Sequence, residues 1–397
     1  MRLILIILLF ALQAAVPARA DSNDTVPIRQ FAAVGDATAI AGLKKVKNVI
    51  MVIGDGMGVE AVTAARIAAF GRGTGLALDR LPVMGHAVTY SLSDDLITDS
   101  AASGTALATG VKTTNGRIGE DTGAGKLKTI LELAHQLGKS TGLVVACDIT
   151  HATPASFASH VKSRNNAWEI ARQLSQAPVD VMLGGGYAYF LPGSHPESLR
   201  DDELDLLGQM RRSGRTVITD PAEFKSLDLA KIKALVGLFS PGHPEKAGLR
   251  QPGLTELTGA ALELLSRNPK GFFLMVEGSQ IDWAGHDNDL EYSVGETLDF
   301  DRTVEAVRRF AERDGGTLMI VTADHETGGL SINKASEKQR TLTAGWTTGS
   351  HTANMVPVYA YGPNAEAFYG IHQNHHLPQL AVQGWGVKNF SRFAYEK

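Results

Sequence analysis

At 397 residues, 20% of them charged and with a formal net charge of -4, the chain is long enough for a large core. It is too evenly balanced in charge for a nucleic-acid surface or a polyanion binder. A single cysteine, Cys147, excludes an internal disulfide framework and a cysteine-based zinc knuckle.

The chain opens on Met1-Arg2, an apolar run over 3–16, and Ala18-Arg19-Ala20 ahead of Asp21. A basic start, a short apolar core and an A-x-A site read as a secretory signal peptide over 1–20. As a membrane anchor the run is short, and Gln13 and Pro17 break it. No later segment is apolar enough to span a bilayer, so the mature chain is expected to be exported, to the periplasm or the medium. Roughly 375 residues then remain, read as an amino-terminal segment over 21–45 and one catalytic domain over 46–397.

The apolar run 49–53 is a strand covered on both faces. Gly54-Asp55-Gly56-Met57-Gly58 ends it, and 59–69 has helical spacing. Asp99-Ser100 precedes a small-residue helix over 101–109. Helix is expected over 129–137, strand over 141–147, and a short helix over 154–160 starting with Pro154. Gly184-Gly185-Gly186-Tyr187 reads as a turn, 196–212 as a charged helix and 235–239 as a strand. Then come a helix over 254–266, a strand over 272–276, a long amphipathic helix over 290–313 and a strand over 317–322. The polar stretch 333–346 reads as an excursion between strands, a surface insertion near 331–347, and 356–361 as a further strand. In the tail, His375-His376 is read as exposed rather than metal-bound, because no carboxylate is near in sequence.

Asp55, His151, Glu277 and Asp324 each follow the end of an expected strand, the edge at which ligands collect in open α/β sheets. Each chemical candidate also has an ordinary reading. Ser100 at a helix start is either a cap or a hydroxyl beside the free N–H groups that attract phosphate. Asp282 and His286, four apart, share a face if their segment is helical; otherwise they are a surface pair. Glu277, leaving a buried strand, must be paired or metal-bound. Asp324-His325 leaves an apolar strand ahead of Gly328-Gly329. Arg164 is a solvated helix-end arginine or a bidentate phosphate partner. Thr153 is a helix cap or, with Asp55 and Glu277 close, a cation ligand. Cys147, on an apolar strand, reads as packing. His86, His135, His195 and His243 belong to no motif and read as structural or exposed.

Three segments are long and specific: Thr98-Asp99-Ser100-Ala101-Ala102-Ser103-Gly104-Thr105-Ala106, Asn268-Pro269-Lys270-Gly271-Phe272-Phe273, and Thr322-Ala323-Asp324-His325-Glu326-Thr327-Gly328-Gly329. With these the chain resembles the alkaline phosphatase family over about 47–362. The resemblance implies an α/β fold, a three-layer αβα sandwich with a largely parallel central sheet. It implies hydrolysis of small-molecule phosphate monoesters, and a homodimer. Two zinc ions are implied, one held by Asp282, His286 and His351, the other by Asp55, Asp324 and His325. Asp55 is then shared with a third site, completed by Thr153 and Glu277, that usually holds magnesium. Ser100 becomes the phosphorylated nucleophile and Arg164 the phosphate clamp. His151 and Trp283 stand where better-known bacterial members can carry aspartate and lysine. A metal-dependent phosphodiesterase or phosphomutase of the same superfamily would share two of the metals, but such relatives typically lack Thr153, Glu277 and Arg164 in combination. A non-catalytic exported zinc-binding protein would leave Ser100 and Arg164 unexplained. A sulfatase needs C/S-x-P-x-R, which Ser100-Ala101-Ala102-Ser103-Gly104 does not supply.

Overall fold

The computed structural model describes residues 42–390; the expected signal peptide lies outside them. In chain order the first elements are β1 (Asn48–Gly54), α1 (Val59–Phe70), β2 (Val83–Val88), α2 (Ser100–Thr109), α3 (Ile130–Gln136), β3 (Ser140–Asp148) and α4 (Ala152–Ala158). Next come α5 (Ala167–Gln176), β4 (Val181–Gly185), α6 (Leu206–Arg212), β5 (Thr216–Ile218), α7 (Pro221–Ser226), β6 (Leu235–Leu238), α8 (Leu254–Leu265), β7 (Phe272–Gly278) and α9 (Gln280–His286). The last are α10 (Leu290–Asp314), β8 (Thr317–Thr322), β9 (Glu326–Thr327), β10 (Ser331–Ser336), β11 (Thr341–Gly345), β12 (His351–Thr352), β13 (Val356–Tyr361), β14 (Gly370–Gln373) and α11 (His376–Gln383).

Among the described residues ten strands form one sheet in the order β14-β2-β13-β8-β1-β7-β3-β4-β6-β5. Every neighbouring pair is parallel except those made by β13, which runs against both β2 and β8. Helices cover the sheet on both faces. One group joins α1, α8 and α10 over the central strands, and another joins α2, α3, α4 and α11. The expected αβα sandwich with a largely parallel sheet is the observed one.

The central strands carry no polar face because both faces are covered: β1, β7 and β8 are buried at every residue. Across the layers, Phe157 of α4 stacks on Phe273 of β7 at 5.8 Å between ring centroids. Such a pair contributes about 0.5–1.5 kcal/mol beyond the area it buries. Helix α2 is made of small residues because it is crowded: all ten are buried, and a Cβ on Gly104 would lie 3.0 Å from Ser156 Oγ on α4. It ends at Gly110, in the left-handed conformation that glycine adopts without strain. Helix α3 begins with a reciprocal cap between Thr129 and Glu132.

Several sequence expectations need correction. Gly184 and Gly185 belong to β4 rather than to a turn, since a Cβ on Gly184 would meet Val145 Cγ2 at 2.6 Å on the neighbouring strand. Helix α4 starts at Ala152, so Pro154 is its third residue and not its first. Of the expected helix over 196–212 only Leu206–Arg212 is helical, capped by Asp205. The polar excursion is an antiparallel β10–β11 hairpin. His375-His376 is not exposed: His375 is half-buried, and His376, 8% exposed, opens α11 where that helix packs on α2. Among the described residues no helix is long and apolar enough to cross a membrane.

Candidate active site

Register places the candidate residues side by side. Glu277 at the end of β7 sits opposite Ile53 of β1 and Val145 of β3, and Ile53 sits opposite Thr322 of β8. The carboxyl ends of four adjacent strands therefore deliver Asp55, Asp148, Glu277 and Asp324 to one edge. The turn after β1 is tied in place, with Asp55 N–H donating to Gly278 O and Gly56 N–H to Asp324 Oδ1.

Asp282 and His286 do share a helix, α9, with Asp282 Oδ2 3.4 Å from His286 Nε2. His351, brought in on β12, places Nε2 3.5 Å from Asp282 Oδ1 and 3.2 Å from His286 Nε2. Both rings have Nδ1 against a backbone carbonyl, His286 on Gly349 O at 2.8 Å and His351 on Thr98 O at 2.9 Å. When either ring is neutral its proton is on Nδ1 and its Nε2 lone pair faces the carboxylate, the arrangement a cation requires; with no cation there, Nε2 can carry a proton to Asp282 instead. His325 repeats the arrangement. Its Nδ1 faces Thr327 Oγ1, whose own hydrogen goes to Asp282 Oδ1, and its Nε2 lies 3.2 Å from Asp324 Oδ2 and 3.6 Å from Asp55 Oδ1.

The charge balance points the same way. Burial, then Asp324 and Asp282, push the Asp55 carboxyl well up. Burial likewise raises Glu277 to about 7 and Asp324 to about 6. Burial also raises Asp282, but hydrogen bonds from His286 and His351 outweigh it and hold that carboxyl well below its usual range. The bond to Asp282 raises His286 to about 9, whereas burial drives His325 well down. Buried carboxylates this close cannot all ionise without positive charge among them. Among the described residues, both oxygens of Asp55, Glu277 Oε1, Asp324 Oδ2 and Thr153 Oγ1 are buried with no hydrogen-bond partner. Orphaned oxygens of this kind, converging with imidazole Nε2 atoms, fit divalent cations.

Ser100 opens α2 with its Oγ 3.2 Å from His325 Nε2. The preceding residue, Asp99, caps the helix by accepting from Ala102 N–H, and its other oxygen accepts from Arg164 NH1 at 3.2 Å. Arg164 NH2 lies 3.2 Å from His151 Nε2. The cap of this motif is thus Asp99 rather than Ser100, whose hydroxyl faces His325 instead.

His151 lies 6.2 Å from the Trp283 ring, and its Nδ1 is buried without a partner among the described residues. Burial, then Arg164, lowers it to about 4. Three groups near these residues were not anticipated as part of the site. His243 packs edge-on against Trp283 at 4.5 Å, with Nδ1 3.4 Å from Asp148 Oδ2. Cys147 is buried as expected, but its Sγ also lies 3.5 Å from Glu277 Oε2. Thr327 bridges His325 and Asp282. Gly242-His243-Pro244 carries no spacing signal, and only the crossing of the chain past α9 brings it near.

A sequence model described as alkaline phosphatase matches residues 46–339. Alkaline phosphatase 4 of Bacillus subtilis is 35% identical over 412 residues, spanning 83% of this chain and 87% of that protein. The solved alkaline phosphatase of the Antarctic bacterium TAB5 is 35% identical with a TM-score of 0.78, covering 86% of this chain and 98% of that one. A mutant of the TAB5 enzyme, 34% identical with a TM-score of 0.77 and the same coverage, has Mg bound in its M3 site.

Proposed function

The chain belongs to the alkaline phosphatase family, as a metal-binding hydrolase of phosphate monoesters that works through a covalent phosphoserine, and on that footing we propose which side chains carry the reaction. Ser100 is the nucleophile. The observation behind this is a buried hydroxyl at the first turn of α2, against His325 on one side and next in sequence to the carboxylate that holds Arg164. Ser100 Oγ bonds to phosphorus as the ester P–O bond breaks and the alcohol leaves. Water then attacks the phosphorus, the Oγ–P bond breaks, and inorganic phosphate departs.

Both displacements load charge onto the non-bridging oxygens. Arg164, oriented by Asp99 and His151, offers two N–H donors to them, and the free amides at the start of α2 add donors and a favourable dipole. Asp282, His286 and His351 hold one zinc, and Asp55, Asp324 and His325 hold another. Asp55, Thr153 and Glu277 hold a third divalent ion, magnesium. When bound, these ions supply the positive charge that favours the serine alkoxide and neutralises the leaving oxygen. His151 and Trp283 border the third group; Trp283 brings no charge, so Arg164 is the cationic side chain directed at phosphate. The amino-terminal pattern supports export to the periplasm or medium. The protein acts as a homodimer, with 46–397 as one catalytic domain and 331–347 its surface insertion.

Trapping with labelled phosphate at acidic pH is expected to mark Ser100, and to mark nothing in Ser100→Ala, which keeps its metals. A label elsewhere, with activity surviving in Ser100→Ala, overturns the assignment.

A further inference from the structure

Behind the metal-binding edge runs a line of buried hydrogen bonds that uses none of the candidate ligand side chains. Lys112 Nζ donates to Tyr90 O and to Asn374 Oδ1, both at 2.7 Å. Asn374 Nδ2 donates to Ser103 Oγ at 2.9 Å, and Ser103 Oγ donates to the backbone carbonyl of Asp324 at 2.6 Å. Lys112 is 8% exposed, Ser103 1%, and Asn374 and Asp324 0%. Water therefore cannot replace the links from Lys112 through Asn374 and Ser103 to Asp324 at low cost.

The donor inventory makes the line directional. Lys112 Nζ keeps two hydrogens even as a neutral amine and gives one each to Tyr90 O and Asn374 Oδ1, so the Asn374 amide turns its oxygen to Lys112 and its NH2 to Ser103. The Ser103 oxygen then accepts from Asn374, and its one hydrogen is left for Asp324 O. Ser103 also lies three residues after Ser100 on α2, so both hydroxyls fall on the same side of the helix. One reaches the Asp324 backbone, and the other lies 3.2 Å from His325 Nε2. The bond from Ser103 thus ties the serine's helix to the loop that carries Asp324 and His325. Asp324 itself is held at Oδ1 by the N–H groups of Gly56 and His325, which leaves Oδ2 directed at the site.

We propose that Ser103 is a positioning residue for phosphoryl transfer, setting the distance between Ser100 and the Asp324-His325 ligands, and that Lys112 and Asn374 fix the direction of its hydrogen. This rests on Ser100 as nucleophile and on Asp324 and His325 as zinc ligands. Asn374 lies beyond the 46–339 stretch matched by the family model, on the turn between β14 and α11.

The decisive variant is Asn374→Asp. A carboxylate has nearly the same volume and gains an ion pair with Lys112, so the thermal midpoint is expected to hold or rise. It can only accept, however, so it takes the Ser103 hydrogen and the Asp324 carbonyl loses its donor. The expected result is a fall of about 10- to 100-fold in the single-turnover rate of Ser100 phosphorylation. KM should change little, and zinc should be lost faster to a chelator. Ser103→Ala is expected to do the same, and Asn374→Asp added to Ser103→Ala to cost nothing more, since the two act through one bond. Native phosphorylation rate and zinc retention in Asn374→Asp, or additive losses in the double variant, overturn the proposal. If Asn374→Asp does not fold, Ser103→Ala decides alone, a native rate counting against. Failure of the underlying reading is separate: wild-type protein would then carry no label on Ser100.

Discussion

Gly56, beside the candidate ligands, is a position at which one added methyl group should be costly. Its φ is +71°, and a Cβ there would lie 2.6 Å from Asp282 Cα, 2.8 Å from Thr327 Oγ1 and 2.9 Å from Asp282 Cβ. The first contact is backbone, so no rotamer change relieves it. A left-handed alanine costs roughly 1–2 kcal/mol, and overpacking a well-filled interior about 1–3 kcal/mol more. Gly56→Ala should therefore destabilise the fold by roughly 2–5 kcal/mol. At about 2 °C per kcal/mol for a chain of this size, the thermal midpoint should fall by about 4–10 °C. Function should suffer as well. The clash pushes α9 away at Asp282, and Gly56 also gives its N–H to Asp324 Oδ1 and its carbonyl to Thr327 N–H. The assay is calorimetry of the chelated protein at one scan rate, which isolates the backbone effect, followed by zinc retention and turnover of the loaded protein. A Gly56→Ala protein with the native midpoint and native zinc retention would refute the reasoning.

Gly259 on α8 and Gly295 on α10 make the opposite case, since among the described residues a Cβ at either meets nothing within 4 Å beyond its own helix backbone. Gly259→Ala and Gly295→Ala should each stabilise by about 0.5–1 kcal/mol, read as a rise in denaturation midpoint with unchanged activity. Burial lowers the Lys112 ammonium to about 7, and the titratable groups facing it are Tyr90 and His375, the latter neutral because burial and His376 drive it to about 3. Between pH 7 and the ordinary lysine value near ~10.4 the unfolded chain therefore binds the extra proton, so this residue makes stability rise with pH across that window, while below it the penalty is complete. The rise should be on the order of a few kcal/mol, reduced by the two oxygen acceptors and the Tyr90 ring that favour the charge. Denaturation midpoints of wild type and Lys112→Met should diverge in that sense from pH 7 upward, and parallel curves would count against it.

Much of the candidate site was legible because its signals are local. A continuous apolar run that stops at or just before an acidic residue specifies a buried strand with a carboxylate at its end, and this holds for Asp55, Glu277 and Asp324. The i, i+4 spacing of Asp282 and His286 needs only one helical turn to place them together, and Asp99-Ser100 needs only a helix start. Tertiary structure decided what depends on a partner distant in sequence. Val83–Val88 is a strand because β13 and β14 pair with it, and Gly184 and Gly185 are strand because Val145 and its neighbours leave no room for side chains. His243 reaches Trp283, and Asn374 reaches Ser103, across 40 and 271 residues of chain. Such contacts leave no periodic mark on the sequence, because nothing local constrains either residue. The burial that orients them exists only once the sheet has brought its strands into register.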